Sequence, residues 1–293
     1  MIFDEVTLRK LQQLTLIPGR IRAGAVKGER RSTKRGTSIE FADYRDYTPG
    51  DDLRRLDWNV YARLERPYIK LLEEEEDLAV HVLVDASSSM DWGEGEHNKL
   101  RFALHLAAAL GAIALGAGDQ LTLAVFHVGA KMAEFGPSRG PQHLVRLLHF
   151  LDGQEASGLT HLNQSLQAYT LAARRSGLVI LISDLLSPGG YREGVNHLLG
   201  QGHDVTLLHL LSPDELDPPL AGDLRLLDIE TGSSIEVSLN AGMRELYIHR
   251  MQSWRSEIKK ECRSRGVRFM GLETAAAWDK VVLYEMRRAG LVK

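Results

Sequence analysis

The chain divides into two parts that differ in how apolar and polar residues alternate. Residues 37–77 mix aromatic side chains with alternating acids and bases. From residue 78 onward, short runs rich in valine, leucine and isoleucine alternate with longer segments of helical periodicity. Such runs, separated by helices, are typical of a parallel sheet covered on both faces. Residues 78–293 are therefore predicted to form an α/β domain, Rossmann-like, with a mostly parallel sheet and helices on both faces.

The hydrophobic pattern also places the elements of this domain. The predicted strands are 79–84, 120–128, 131–135, 178–183, 203–211 and 267–273. The predicted helices are 99–117, 141–151, 161–175, 190–200, 241–265 and one from about residue 278. Gly129 lies between two strands that we expect to pair, and Thr231-Gly232 is expected to close a hairpin at 223–239, within an insert at about 216–240.

Residues 1–77 are predicted to form a separate segment in three pieces. Asp4 can cap a helix at 4–17, which Pro18-Gly19 would end. Residues 20–36 form a basic loop with seven cations and one acid. A small β-rich subdomain follows, in which acids are expected to pair with arginines around an aromatic core. The residues expected to pair are Asp46, Asp51, Asp52 and Asp57 with Arg45, Arg54, Arg55 and Arg63.

The composition is that of an ordinary soluble globular protein, with 44% apolar and 26% charged residues and a net charge of −3. The single cysteine, Cys262, excludes an internal disulfide and favours a reducing compartment. The start of the chain, MIFDEVTLRKLQQL, lacks an apolar signal-peptide region. The apolar run 102–118 contains His105 and three glycines, which favours a buried crossover helix over a membrane span. We therefore expect a cytoplasmic protein.

Oxygen-bearing side chains occur at three places just past a predicted strand or at a helix start. They are Asp85, Ser87 and Ser89 in DASSS, Thr160 in SGLTHL, and Asp184 in LISDLL. In an open parallel sheet, ligands bind outside the carboxyl ends of the strands, at the point where the strand order reverses. If strands 79–84 and 178–183 are neighbours, all of these oxygens can converge on one site.

Such a set of oxygens suits a hard divalent cation, most plausibly Mg²⁺, with Mn²⁺ or Ca²⁺ as alternatives. Two carboxylates at most neutralise its charge, so an open coordination position would favour an acidic side chain from another protein. Of the softer ligands, the three segments contain His161 alone, which disfavours Zn²⁺. The loop DWGEGEHNK is rich in acids, and Asp91, Glu94 or Glu96 could instead cap the cation from within.

The order Asp-x-Ser-x-Ser, then Thr, then Asp resembles the metal-ion-dependent adhesion site of von Willebrand factor A domains. The resemblance implies that Ser87, Ser89 and Thr160 contact Mg²⁺ directly, that Asp85 and Asp184 act directly or through water, and that a partner's Glu or Asp completes the shell. The segment IEFADYRDYTPGDDLRRLDWNVYARLERPYIKLLEEEED is similar to the signature of the bacterial domain-of-unknown-function family fifty-eight, and DIETG and CRSRGVRFMGLET also fit it. That resemblance covers roughly residues 20–290 and implies a MoxR-type AAA ATPase as partner.

These observations favour a Mg²⁺-dependent protein-binding module that is not an enzyme. A metal-dependent hydrolase is the first alternative, but no Gly-x-Ser-x-Gly elbow surrounds the serines and Ser87 stands where an Asp-x-Asp phosphatase needs an acid. Nucleic-acid binding through residues 20–35 is the second alternative. It is disfavoured because no aromatic residue lies among the cations to stack on bases. No Walker motif is present, so ATP hydrolysis by this chain is not expected.

Overall fold

The chain forms two compact units, one made of Met1–Arg20 with Leu78–Lys293 and the other of Ile21–Asp77. The computed structural model describes residues 3–19, 40–48, 51–53, 56–73, 78–128, 131–173, 175–219, 222–227, 234–239 and 241–293. The whole basic loop at 20–36 lies outside the described residues, as do Arg54, Arg55, Gly129 and Thr231-Gly232.

The elements follow the predicted order. The strands are β1 (Glu40–Asp46), β2 (Tyr68–Glu73), β3 (Ala79–Asp85), β4 (Gln120–Phe126), β5 (Met132–Arg139), β6 (Leu178–Ser183), β7 (Asp204–Leu211), β8 (Gly222–Leu227), β9 (Ser234–Leu239) and β10 (Arg268–Glu273). The helices are α1 (Glu5–Leu11), α2 (Trp58–Leu64), α3 (Lys99–Ala117), α4 (Leu144–Asp152), α5 (Leu162–Ala172), α6 (Arg192–Gly200), α7 (Pro213–Leu216), α8 (Ala241–Ser264), α9 (Trp278–Lys280) and α10 (Met286–Arg288).

The larger unit is built on a six-stranded sheet in the order β10-β7-β6-β3-β4-β5. The first five strands of that order run parallel, and β5 pairs antiparallel with β4 at the edge. Because β3 lies between β4 and β6, the strand order reverses at β3. The predicted Rossmann-like α/β fold, with a mostly parallel sheet and helices on both faces, is confirmed. The expected hairpin is also present, as the antiparallel pair β8 and β9.

Side chains of each strand point alternately to the two faces of the sheet, and a hydrophobic core covers each face. Every residue of β3 is buried. Val82 belongs to the core on the side of α3, and Leu83 belongs to the core on the side of α5 and α6. Among the described residues, α3 is the helix long and apolar enough for a membrane span, yet 72% of its apolar window is buried within the protein. The expected crossover helix is therefore part of the core.

The first 20 residues belong to the larger unit, whereas the sequence pattern grouped them with residues 21–77. Asp4 caps α1 as expected, accepting the Thr7 N–H at 2.6 Å. The helix nevertheless ends at Leu11 and not at residue 17. Beyond it the chain extends, and Leu16 pairs with Val292 in an antiparallel bridge. Leu11 and Leu16 are fully buried in the α/β core, so burial of these side chains decides the grouping.

The smaller unit contains the antiparallel pair β1 and β2 and an additional helix, α2, that the pattern of a β-rich segment did not predict. Asp57 caps α2 by accepting the N–H groups of Asn59 and Val60. Of the expected charge pairs, Arg45 and Asp51 form an ion pair at 2.7 Å. Asp57, besides capping α2, accepts the Tyr44 hydroxyl at 2.8 Å.

Candidate metal-binding site

The carboxyl ends of β3 and β6 lie side by side, with Val84 opposite Ile182 in the parallel register. Asp85 is the last residue of β3, and Ser183 and Asp184 end and follow β6. This position is the switch point of the sheet, since β4 lies on the other side of β3. The expectation that these two strands are neighbours is therefore met, and ligands of open α/β sheets bind at such points.

The Asp85 carboxylate is 1% exposed and held from two sides. Its Oδ1 accepts the Ser87 N–H at 3.0 Å, and its Oδ2 accepts the Ser183 hydroxyl at 2.7 Å. Burial, and secondarily the charge of Asp184, raise the pKa of Asp85 to about 6, although the hydrogen bonds from Ser183 and Ser87 act in the opposite direction. The carboxylate is thus fixed in an environment where a nearby cation would stabilise its charged form.

Ser87 and Ser89 bring their hydroxyls together in the loop after β3. The two Oγ atoms are 3.0 Å apart and hydrogen-bonded. A short 3₁₀ turn, Ser88–Met90, follows Ser87 and is anchored by the fully buried Met90. Ser87 is buried and Ser89 is partly exposed, so the pair extends from the interior toward the surface. Two hydroxyls at this separation can serve one cation.

Thr160 lies between the loops that follow β3 and β6. Its own loop is joined to the first of these by bonds from Ser157 N–H to the Ala86 carbonyl and from Ser88 N–H to the Gly158 carbonyl, both 2.9 Å. On the other side, the Ser187 hydroxyl donates to the Thr160 carbonyl at 2.9 Å. The Thr160 hydroxyl itself donates to the His127 carbonyl at 3.3 Å. These hydrogen bonds join the loops that carry the five predicted residues at one edge of the sheet.

Asp184 is fully buried, and both of its carboxylate oxygens accept hydrogen bonds from the protein. Oδ1 accepts the Leu186 N–H at 3.1 Å, and Oδ2 accepts the Lys99 ammonium at 2.8 Å. Leu185, between them in the chain, is a non-glycine residue with φ 60°. Backbone strain of this kind persists where the surrounding structure enforces it, often at functional sites.

Lys99 and Glu215 are the residues of the site that the sequence analysis missed. Lys99 is fully buried and also forms an ion pair with Glu215 at 2.6 Å. A signal was present, because Lys99 opens α3 and a helix N-terminus disfavours a cation unless acids lie nearby. Glu215 belongs to a capping box with Ser212, the pattern SPDE. Only the folded chain shows that the two residues meet.

The donor set fits a hard cation, since it consists of three hydroxyls and two carboxylates. Because both Asp184 oxygens already accept hydrogen bonds, this residue fits a role through water better than direct ligation. The described residues contain no cluster of three or more His, Cys, Asp or Glu side chains placed to hold a metal ion. A carboxylate- or imidazole-rich centre is thus not indicated there, and the assignment of Mg²⁺ to the hydroxyl-rich site stays a prediction.

In the acid-rich loop after Ser89, Asp91 has a partner within the protein, and the alternative in which an acid of this loop caps the cation stays a prediction. Asp91 is exposed, and its Oδ1 accepts the Asn98 side-chain amide at 2.8 Å. That bond holds the start of α3, where Asn98 is the cap. Asp91 therefore has a structural role in this loop. Glu94 is exposed, and the side chain of Glu96 lies outside the described part of the chain.

Large apolar side chains are exposed on the loops that carry the site. Trp92 is 48% exposed in the loop after β3, Val128 is 47% exposed after β4, and Leu186 is 43% exposed after β6. Leu186 is itself bonded to Asp184 through its N–H, and Val128 follows His127, which accepts the Thr160 hydroxyl. Apolar side chains exposed on loops around one polar site are a common feature of protein-binding surfaces.

Comparison with other sequences identifies a family. A family described as "Protein of unknown function DUF58" matches residues 43–257. An uncharacterized protein of Mycobacterium tuberculosis strain H37Rv is 28% identical over 272 residues, which cover 91% of this chain and 85% of that protein. An uncharacterized protein of Mycobacterium avium is 29% identical over 119 residues, which cover 40% of this chain and 70% of that protein.

Two solved structures are similar at low identity. The conserved hypothetical protein BatB of Bacteroides thetaiotaomicron covers 72% of this chain and 98% of its own, with 16% identity and a TM-score of 0.43. The manganese-loaded TRAP protein of Plasmodium vivax covers 45% of this chain and 57% of its own, with 21% identity and a TM-score of 0.35. Both likenesses are weak, and the fold described above rests on the strand order of this chain itself.

Proposed function

The chain belongs to the DUF58 family of proteins of unknown function, and for this member we propose the function of a Mg²⁺-dependent protein-binding module. One observation carries the proposal: the hydroxyls of Ser87 and Ser89 lie 3.0 Å apart, next to the buried Asp85 carboxylate, at the switch point of the sheet. A turn that only reversed the chain would not need two converging hydroxyls and a desolvated carboxylate. Buried charges are costly unless they are paired, hydrogen-bonded or bound to a metal ion, and Asp85, within the described part of the chain, has hydrogen bonds but no cationic side chain beside it.

The five side chains would contribute to cation binding in different ways. Ser87, Ser89 and Thr160 would offer neutral oxygens, and Asp85 would offer charge from the interior. Asp184 would act through water, because its oxygens are held by Lys99 and Leu186. When bound, Mg²⁺ supplies a positive charge and a coordination position open to an outside carboxylate. Mn²⁺ and Ca²⁺ use the same kinds of oxygen ligands.

The partner that suits this site is a protein with an exposed Glu or Asp. The apolar side chains of Trp92, Val128 and Leu186 favour a protein partner over a small anion, since they would be buried by a surrounding interface. A MoxR-type AAA ATPase, implied by the family resemblance, is the partner we propose. The pair would act in protein assembly or remodelling.

We propose binding, not catalysis, as the function of the serines. A nucleophilic serine is activated by a base within hydrogen-bond reach. The Ser87 hydroxyl is bonded to the Ser89 hydroxyl, and the nearby His161 has an exposed side chain. These contacts support metal ligation better than hydrolysis.

Calorimetric titration with MgCl₂ tests the metal part of the proposal. The wild-type chain is expected to bind one ion, and Asp85→Ala and Ser87→Ala are expected to weaken binding by about tenfold or more, because each removes a ligand or its charge. Ser264→Ala serves as the matched control, since Ser264 is exposed at the end of α8 and its hydroxyl donates to the Glu261 carbonyl of the same helix. Unchanged Mg²⁺ affinity in Asp85→Ala would refute the metal site.

The partner part is tested by a pull-down with a purified MoxR-type ATPase as bait. Retention is expected in MgCl₂, with loss in EDTA and in the Asp85→Ala chain. Equal retention of the Asp85→Ala and wild-type chains would show that any complex forms elsewhere on the surface.

A further inference from the structure

Lys99 is a fully buried lysine at the edge of the proposed metal site. Its ammonium lies 2.8 Å from Asp184 Oδ2 and 2.6 Å from Glu215 Oε1. The Lys99 and Asp184 side chains are 0% exposed, and that of Glu215 is 16% exposed. A buried, ion-paired lysine is therefore built into the protein, in contact with one of the five predicted side chains.

The ion pair between Lys99 and Asp184 is poorly explained by a contribution to stability alone. Removing two charges from water costs about as much as their attraction returns, and apolar replacements of buried pairs are often neutral or stabilising. Lys99 is also the first residue of α3, where the helix dipole is unfavourable to a cation. A lysine in this place therefore suggests a use for its charge.

Glu215 is held in position independently of Lys99. Its second oxygen, Oε2, accepts the Ser212 N–H at 2.8 Å in the capping box of α7, and its backbone carbonyl accepts the Tyr247 hydroxyl at 2.7 Å. The Lys99 charge is thus divided between two fixed acids. The strength of the attraction between Lys99 and Asp184 therefore depends on the charge of Glu215.

We propose that Lys99 is a positioning residue that sets the metal affinity of the site by competing with the divalent cation for Asp184. Holding one Asp184 oxygen, Lys99 keeps this carboxylate from neutralising a bound ion. The site with Mg²⁺ bound then keeps more net positive charge, so it binds a partner's carboxylate more strongly. This inference rests on the proposed function and deepens it, because it explains why metal and partner would bind together.

If Lys99 competes with the cation, substitutions of Lys99 and of Glu215 should change the Mg²⁺ affinity in opposite directions. Lys99→Gln removes the competing cation, so Mg²⁺ affinity is expected to rise by about tenfold or more. Glu215→Gln leaves Asp184 as the ionic partner of Lys99, so Mg²⁺ affinity is expected to fall several-fold. Glutamine at position 215 can still accept the Ser212 N–H, which preserves the capping box. Both affinities are measured by calorimetric titration with MgCl₂ alone.

Loss of one partner of a buried pair can unfold a protein, so the design includes a second arm. The double variant Lys99→Gln/Glu215→Gln removes one charge of each sign and is expected to bind Mg²⁺ more tightly than wild type. The shift of the thermal midpoint on adding MgCl₂ measures the same affinity in any variant that folds, because binding to the folded state alone raises it. Lys259→Gln, an exposed lysine on α8, is the matched control and is expected to match wild type.

The outcomes separate this inference from the proposed function. Wild-type binding with equal or weaker binding in the Lys99→Gln chains would overturn the role of Lys99 and leave the metal site standing. Absence of Mg²⁺ binding in every chain, including wild type, would overturn both. Tighter binding in the double variant and weaker binding in Glu215→Gln would establish Lys99 as the residue that sets the affinity.

Discussion

At the scale of single residues, the site is a balance of buried charges. Asp85 and Asp184 are both buried at one edge of the sheet. The Lys99 ammonium forms an ion pair with Asp184. Asp85 has hydroxyl and N–H donors in place of a cation, and burial, with the charge of Asp184 second, raises its pKa to about 6. Two acids with unequal partners suit a site that takes up one further cation on the side of Asp85.

The two acids and the three hydroxyl residues of the site could be predicted from the sequence, and Lys99 could not. Asp85, Ser87, Ser89, Thr160 and Asp184 were predicted from their order after strands and helix starts. The loops that carry them are joined by hydrogen bonds at one edge of the sheet, and their role as metal ligands stays a prediction. Lys99 could not be predicted with them, because its partners are 85 and 116 positions away in the chain. Ion pairs of that kind are set by tertiary packing, not by local spacing.

A second buried residue makes stability depend on pH. His81 lies between the Tyr169 hydroxyl, 2.7 Å from Nδ1, and the Arg175 carbonyl, 3.0 Å from Nε2. Burial, and secondarily the charge of His203, lower the pKa of His81 to about 4. The unfolded chain therefore binds a proton between about pH 6.5 and pH 4 that the folded chain does not, and stability falls as the pH falls through this window.

Urea unfolding at pH 7.5 and pH 5 checks this expectation. The loss between the two pH values is expected to be smaller in His81→Gln than in wild type by about 1–2 kcal/mol, since about 1.4 kcal/mol per pH unit is at stake below pH 6.5. His105→Gln is the control, because His105 is partly exposed on α3. Equal pH dependence in wild type and His81→Gln would contradict the buried neutral form.

At the scale of elements, the hydrophobic pattern predicted the bounds of the central strands and helices well and those of the N-terminal elements poorly. The bounds of α3 and β6 agree with the prediction at both ends, since long buried runs mark them clearly. By contrast, α1 ends six residues early, because the residues after it form backbone hydrogen bonds with the C-terminal residues. Helix α2 was missed, although Asp57 is a cap residue in the sequence, because charged and aromatic residues masked its period.

The pairing of β3 with β6, on which the site depends, needs a glycine just before β6. A Cβ on Gly177 would lie 2.0 Å from the Ala79 carbonyl oxygen, and the Gly177 N–H donates to His203 Nδ1 at 3.2 Å. Gly177→Ala would push β6 away from β3 at this end. Urea denaturation is expected to show a loss of about 2 kcal/mol or more.

The control is Gly200→Ala at the end of α6, where a Cβ would meet nothing within 4 Å and a helix accepts alanine. This substitution is expected to be neutral or slightly stabilising. If Gly177→Ala were as stable as Gly200→Ala, the backbone of β3 and β6 would have to be less closely packed than described.

At the scale of the whole molecule, the larger unit is closed by its own termini. Thr15 N–H donates to the Lys293 carbonyl at 3.0 Å, and Ile17 N–H donates to the Leu291 carbonyl at 2.9 Å. The segment 3–19 thus forms a strap against the last residues of the chain, far in sequence from the metal-site loops. Its apolar residues could be read from the sequence, but their pairing with residue 292 could not, because no local signal links the two ends.

The strap predicts that a small change near the N-terminus destabilises the α/β unit. Leu16 is fully buried, so Leu16→Ala leaves a cavity and is expected to cost about 2–5 kcal/mol in urea unfolding of the full chain. Val6→Ala is the matched control, because Val6 is 61% exposed and its truncation should cost less than about 0.5 kcal/mol. Comparable stability of the two variants would mean that residues 3–19 do not share the core. Because Leu16 is buried in the core and bridges Val292, Mg²⁺ affinity in folded Leu16→Ala is expected to match wild type, which separates the role of this segment from that of the metal-site loops.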